Sequence, residues 1–342
     1  MSSNGTPNPN PQPQTAPQIE PEYKPIVDLL NAASQLAERN QLDPAEGAIA
    51  SAEAALAGLP QPLRDAARGL AIAAALSEGR GQVALRRGDF QGAHTHLGQA
   101  EALRQREEAA GGRPNPLARA VSNLNLSSAA QRLGLIPEAL EHNARCQALL
   151  RETTDPNAQV FLAASLESRG TLLAQTQQFE AALVALEDAR QIAAPLAEKG
   201  TGPGRSLLAE ILVNQARVQH QLKQPTKALE LAATAAEVSW QQLEATQFRD
   251  QQAASLYIAA EMNQVAFAEL VGTFAKAEDA LFRVIKLIGP EQRVVERGIA
   301  FYTNILTKTD AELEAGDLPR DECEESLGRL RAMVRPAQAP VS

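Results

Sequence analysis

The chain has 342 residues, with 32 Lys and Arg against 41 Asp and Glu, a formal net charge of -9. That acidic balance offers no electrostatic footprint for a phosphate backbone or an anionic lipid surface, so neither nucleic acid nor membrane is expected as a partner. Ala, Leu, Glu, Gln and Arg dominate and aromatic residues make up only 4%, which predicts an all-α fold.

Residues 1–22 are rich in Pro, Asn, Gln and Ser and hold almost nothing to bury. They are expected to form a disordered tail, read as a solubilising leader or tether, or through its alternating prolines as a ligand for a proline-reading partner. No basic stretch followed by an apolar one opens the chain, and no run of about 18 apolar residues occurs, so neither a signal peptide nor a membrane span is predicted. The two cysteines, Cys146 and Cys323, are far apart. They form no disulfide framework and point to a reducing, cytoplasmic setting.

From Tyr23 onward, helical segments alternate with loop signals at 58–62 (GLPQP), 111–116 (GGRPNP), 154–157 (TDPN), 199–204 (KGTGPG) and 289–291 (GPE), with a further break expected in the polar stretch 246–250. Within these blocks Ala45, Ala93, Ala139, Ala182, Ala228 and Ala277 share one register, spaced by 48, 46, 43, 46 and 49 residues, each at the beginning of a block's second helix. Three residues earlier stand Leu42, Phe90, Ile136, Phe179, Pro225 and Phe274, suited to plug an inter-helix corner. Twelve residues earlier comes a small or short residue: Ala33, Gly81, Ser127, Gly170, Ala216 or Val265. Small residues at both columns let two antiparallel helices approach closely, which a repeating helical hairpin requires. Beyond Pro290 one long helix is predicted to about Ala315, then a turn at 316–319 (GDLP) and a charged helix ending near Arg335. This pair lacks the alanine column, and covering the last apolar face of a stack is its natural role.

The segments 88–93 (GDFQGA), 134–139 (GLIPEA), 177–182 (QQFEAA) and 272–277 (GTFAKA) resemble the turn and second-helix start of tetratricopeptide repeats. The resemblance spans 23–288. The repeats are longer than the consensus of about 34 residues and lack its large Trp and Tyr on the first helix. In length they are similar to the elongated repeats of kinesin light chains and of the Rap-type bacterial peptide-sensing regulators. The resemblance implies a right-handed solenoid of about six antiparallel helical hairpins over 23–288; beyond it a capping helix pair over 289–335 and a disordered end at 336–342 are expected from the sequence. The resemblance also implies that another protein or a peptide is held in the concave groove.

Asn31, Asn125, Asn214 and Asn263 each lie two residues before the small column, and Gly79 and Ser168 take that place in the other two blocks. Asn is a mediocre helix former, so its return at one register needs a reason beyond propensity. The family resemblance implies that this register faces the groove, where an amide can donate to and accept from an extended peptide backbone. The alternative is that these residues only fix packing between repeats. One turn on, Arg86, Gln131, Arg132, Thr171, Arg217 and His220 would line the same surface and select among ligands, or would be solvated helix faces.

Signals for chemistry are sparse. His94 and His96, one residue apart on a helix, diverge too far to chelate one ion. Glu138, His142 and Cys146 follow i, i+4, i+8 spacing, but Cys146 falls in a buried small-residue register and reads as a compact hydrophobe. Cys323 sits among Asp321, Glu322, Glu324 and Glu325, which disfavours a thiolate. No phosphate-binding glycine loop, zinc-protease helix or nucleophile elbow occurs. Accordingly no metal, cofactor or enzymatic activity is predicted. The leading function is a scaffold or adaptor that grips an extended polypeptide. The alternatives are a self-associating structural repeat protein, using faces around Trp240, Phe248 and Tyr257, or the sensory peptide-binding half of a signalling regulator.

Overall fold

Every break expected from Gly, Pro and polar clusters separates two helices, and the computed structural model contains sixteen helices and no strand among the described residues. These are residues 20–333 apart from 114, 154, 156 and 201. The tail expected at 1–22 lies outside them except for 20–22, as does the end expected at 336–342. The described chain falls into two compact units, divided within the GGRPNP loop between Asn115 and Pro116. In the first, α1 (Lys24–Glu38) pairs with α2 (Leu42–Ala57), a short α3 (Gln61–Asp65) follows inside the GLPQP signal and beyond it, and α4 (Ala67–Arg87) pairs with α5 (Phe90–Ala109). In the second, α6 (Pro116–Arg132) pairs with α7 (Ile136–Glu152), α8 (Ala158–Gln175) with α9 (Phe179–Glu198), α10 (Gly202–Gln221) with α11 (Pro225–Ala245), and α12 (Gln251–Val271) with α13 (Phe274–Ile288). α14 (Gln292–Ile305), α15 (Asp310–Ala315) and α16 (Arg320–Met333) complete the second unit. No helix among the described residues is long and apolar enough to cross a membrane.

The pairing rests on the two small-residue columns. All six alanines of the repeating register are fully buried, although each is the fourth residue of its helix, which starts at the corner residue three places earlier. Opposite them the first helix presents its small residue at very close range. A Cβ added to Gly81 would stand 2.6 Å from Leu97 Cγ, and one added to Gly170 would stand 2.5 Å from Leu186 Cγ. In the α6–α7 hairpin the Ser127 hydroxyl donates to the Ala139 carbonyl at 2.8 Å, so the contact satisfies a buried polar group as well as packing. Leu97 and Leu186, both fully buried, fill the space that the glycines leave. Each contributes roughly 1.5–3 kcal/mol of burial.

The six hairpin turns share one backbone solution. Asn40, Gly88, Gly134, Gln177, Lys223 and Gly272, each two residues before the second helix, have φ of 59°, 77°, 78°, 61°, 59° and 84°. The next N–H in each case donates to a carbonyl five residues back, as Asp89 does to Ala84 at 2.9 Å and Gln224 to Gln219 at 3.0 Å. This left-handed C-cap satisfies orphan carbonyls of the first helix. Half the turns accomplish it without glycine.

The C-terminal region differs from the expected helix pair. The long helix predicted to about Ala315 stops at Ile305, and α15 begins afresh at Asp310. Thr309 is the cause: its hydroxyl accepts from Glu312 N while the Glu312 carboxylate accepts from Thr309 N, a complete capping box. α14 buries Val294, Val295, Phe301, Tyr302 and Ile305 against the α12–α13 hairpin and α16. The covering role expected for this region is therefore filled by three helices.

Candidate functional site

α8 and α10 are first helices of successive hairpins, so residues at matching registers on them meet across the second helix α9. A cavity of about 500 Å³ opens there. Thr171 from α8 and Asn214 and Arg217 from α10 line it, together with Gln175 and with Phe179 and Leu186 from α9. The Asn214 amide donates to Glu167 Oε1 at 2.5 Å, and Arg217 Nη1 donates to Asn214 Oδ1 at 3.4 Å. Thr171 Oγ1 also donates to Glu167 Oε1 at 2.9 Å. One N–H and one acceptor lone pair of Asn214 remain for a ligand, and Arg217 is exposed with further donors to spare.

Glu167 is the electrostatic centre of this cluster. The residue keeps some exposure, but its carboxyl group is enclosed, and burial pushes its pKa up to about 7 with the Glu210 carboxylate adding to the rise. Hydrogen bonds from Thr171 and Asn214 and the charge of Arg217 act the other way without offsetting it. Burial raises Glu210 as well. The arrangement provides an amide and a guanidinium held in place by a carboxyl that carries a proton over part of the neutral range.

Of the ten residues singled out in the sequence, the structure brings three together here: Thr171, Asn214 and Arg217. His220, on the same helix as Asn214, packs its ring against Phe267 at 5.1 Å between centroids. Asn125, Gln131 and Arg132 lie on α6 and Asn263 on α12, half-buried except for the exposed Arg132. Asn31 and Arg86 are exposed on α1 and α4 of the first unit. Glu167 and Glu210 were not among the predicted residues. Each stands four residues before a predicted one, Thr171 and Asn214, a spacing that places it on the same helix face.

Both cysteines are enclosed. Cys146 is fully buried and its thiol is pushed up to about 11 by desolvation. Cys323 is also buried, and burial followed by the nearby Glu278 pushes it up to about 11. His142 Nδ1 lies 3.1 Å from Asn123 Oδ1 and its Nε2 lies 3.6 Å from Glu138. The aromatic group expected on an exposed face is mostly packed: Tyr257 is 4% exposed and Trp240 half-buried, while Phe248 projects at 54%. Trp240 rests against both rings, with centroids 5.1 Å from Tyr257 and 5.4 Å from Phe248.

A family described as of unknown function (DUF6483) matches residues 171–335. No curated protein sequence matches the chain. Among solved structures, the apo form of RapI is 13% identical with a TM-score of 0.53, over 90% of this chain and 98% of that one. Aspartyl phosphate phosphatase F from Bacillus subtilis is 12% identical with a TM-score of 0.53, over 96% and 98%. NprR in complex with its cognate peptide NprX is 11% identical with a TM-score of 0.53, over 93% and 80%. At this identity the likeness is one of fold. It agrees with the tetratricopeptide-like, Rap-type resemblance carried by the repeating alanines.

Proposed function

We propose that this chain is a peptide-binding helical repeat scaffold without enzymatic activity, and that an extended polypeptide lies against α8 and α10 with its backbone hydrogen-bonded by Asn214. The observation that carries this reading is the meeting of Thr171, Asn214 and Arg217 in one cavity, with amide and guanidinium donors left over. NprR, similar in fold, was solved with a peptide bound, which supports the same use of this architecture. Asn125 and Asn263 extend the backbone contacts along the second unit, and Asn31 repeats the register in the first. Gln131, Arg132 and His220 select among side chains in the second unit, and Arg86 holds the corresponding place in the first.

The test is panning of a random linear peptide library on the immobilised chain, followed by fluorescence polarisation with the peptides recovered. Asn214→Ala combined with Arg217→Ala removes two or three ligand hydrogen bonds, which corresponds to a loss of roughly tenfold or more in affinity. Unchanged affinity in that variant, or no enriched peptide at all, would sink the assignment. A second reading, self-association, is favoured by the 54% exposure of Phe248. Sedimentation velocity at two concentrations separates the two, since only self-association makes the sedimentation coefficient rise with concentration.

A further inference from the structure

The second unit holds another cavity, of about 540 Å³, built the opposite way round. The first lies between first helices over a second helix; this one lies between the second helices α11 and α13 over the first helix α12. One side is apolar: Ala233, Ala236 and Trp240 come from α11 and Leu287 from α13, with the Tyr257 ring from α12 behind them. The other side is charged, and its charges are unevenly satisfied.

Glu261, 2% exposed, accepts from Arg283 Nε at 2.7 Å, from Arg283 Nη2 at 2.9 Å and from Gln264 Nε2 at 2.8 Å. Its capacity is therefore used within the wall. Arg283 gives Nε and Nη2 to Glu261 and also interacts with the Tyr257 hydroxyl and with Asp279 on its own helix, while its side chain stays 44% exposed. Lys286, three residues further along α13 and also on the lining, is exposed and forms no ion pair among the described residues. The carboxylate of Glu237 stands on α11, across the cavity from both. Two exposed cations thus sit on one edge of an aromatic hollow, with the Glu237 carboxylate on the opposite wall.

We infer that this cavity binds a small free carboxylic acid, with its apolar body over Trp240 and its carboxylate received by Arg283 and Lys286. A neutral apolar molecule would leave both donors without a partner, and a cation would meet them at close range. The volume falls within the range of pockets that enclose a single small organic molecule. A carboxylate bound to Arg283 also shares its guanidinium with Glu261, so the wall holds the receiving group in a fixed orientation.

Trp240 is the sole tryptophan of the chain, so its emission reports on this cavity directly. The full chain is titrated with decanoate below its micelle concentration, and in parallel with decanamide and decylamine. Expected is a saturable emission change with decanoate, about tenfold tighter than with decanamide, and no saturation with decylamine. Lys286→Ala should weaken decanoate by roughly fivefold and leave decanamide unchanged, while Glu237→Gln should tighten decanoate by about twofold. Ala233→Phe, at an exposed position on the rim, should abolish the response with an unchanged far-UV spectrum. Equal affinity for decanoate and decanamide, no effect of Lys286→Ala, or no saturable change overturns the inference. Tighter binding of acetyl-Leu-Leu than of decanoate also overturns it, by assigning the cavity to a peptide terminus. None of these substitutions touches the Asn214 cavity, so the outcome is independent of the peptide assay.

Discussion

Replacing Glu167 by Gln tests the electrostatics of the Asn214 cavity without changing its shape. The carboxyl group is raised from 4.5 to about 7, and at about 1.36 kcal/mol per unit the full shift corresponds to roughly 3 kcal/mol. A carboxyl whose folded-state pKa lies above its unfolded value favours folding fully below about pH 4.5. That contribution is lost progressively as pH rises to about 7, because the ionised form is penalised by burial and by Glu210. Gln resembles the protonated carboxyl and keeps an acceptor for Thr171 and Asn214. Since Glu167 and Glu210 bear the penalty jointly, one substitution should recover part of it, on the order of 2 kcal/mol at pH 8 and near zero at pH 5. Urea unfolding followed by far-UV circular dichroism at the two pH values measures this. Parallel pH dependence in the two proteins, or a Gln variant less stable than wild type at pH 8, would refute the reasoning.

Other positions yield equally direct expectations. Lys223 holds φ at 59° with an exposed side chain, so Lys223→Gly should stabilise by about 0.5–1 kcal/mol, read as a higher thermal midpoint. Gly170→Ala places a methyl 2.5 Å from Leu186 Cγ and 3.2 Å from the Ala182 carbonyl; a loss of about 1–3 kcal/mol is expected in urea unfolding. In the first unit Arg104 and Glu78 form an ion pair with side chains 6% and 13% exposed. Arg104→Ala should cost about 3–5 kcal/mol at pH 8, while Arg104→Met combined with Glu78→Leu stays within about 1–2 kcal/mol of wild type. Because burial already raises the Glu78 carboxyl, the single substitution should cost less as pH falls, since protonation removes the buried charge that the substitution leaves without a partner.

The hairpin architecture was legible because it depends on Cβ size at fixed registers. Ala182 and Gly170 mark the α8–α9 approach whatever surrounds them, and the same columns recur in each hairpin. The turns were legible by register more than by residue type: Gly88 and Gly134 announce a left-handed residue, whereas Gln177 and Lys223 hold the same conformation with no such signal. The stop at Ile305 was missed although Thr309 and Glu312 carry the capping-box spacing, since no Pro or Gly interrupts that stretch. At the cavity, register placed Thr171, Asn214 and Arg217 on one surface. The partnership of Asn214 with Glu167 was not legible, because a glutamate on a helix is ordinarily a solvated charge and only the fold encloses this one. His220 meets Phe267 through the packing of α10 on α12, a contact between hairpins that the pattern within one repeat does not encode.

A stack of equivalent modules is an open polymer: each end presents the surface on which another module would add. The backbone N–H of Ala275, in the first turn of α13, donates to the Gly316 carbonyl at 3.0 Å. Gly316 is wedged so tightly that a methyl there would lie 2.3 Å from the Phe274 ring and 2.8 Å from the Gly272 carbonyl. The main chain just after α15 therefore lies directly on the start of α13, in a gap that admits no side chain. Position 316 thus sets how closely α15 sits on the last hairpin, since any side chain there would have to push the Phe274 ring aside.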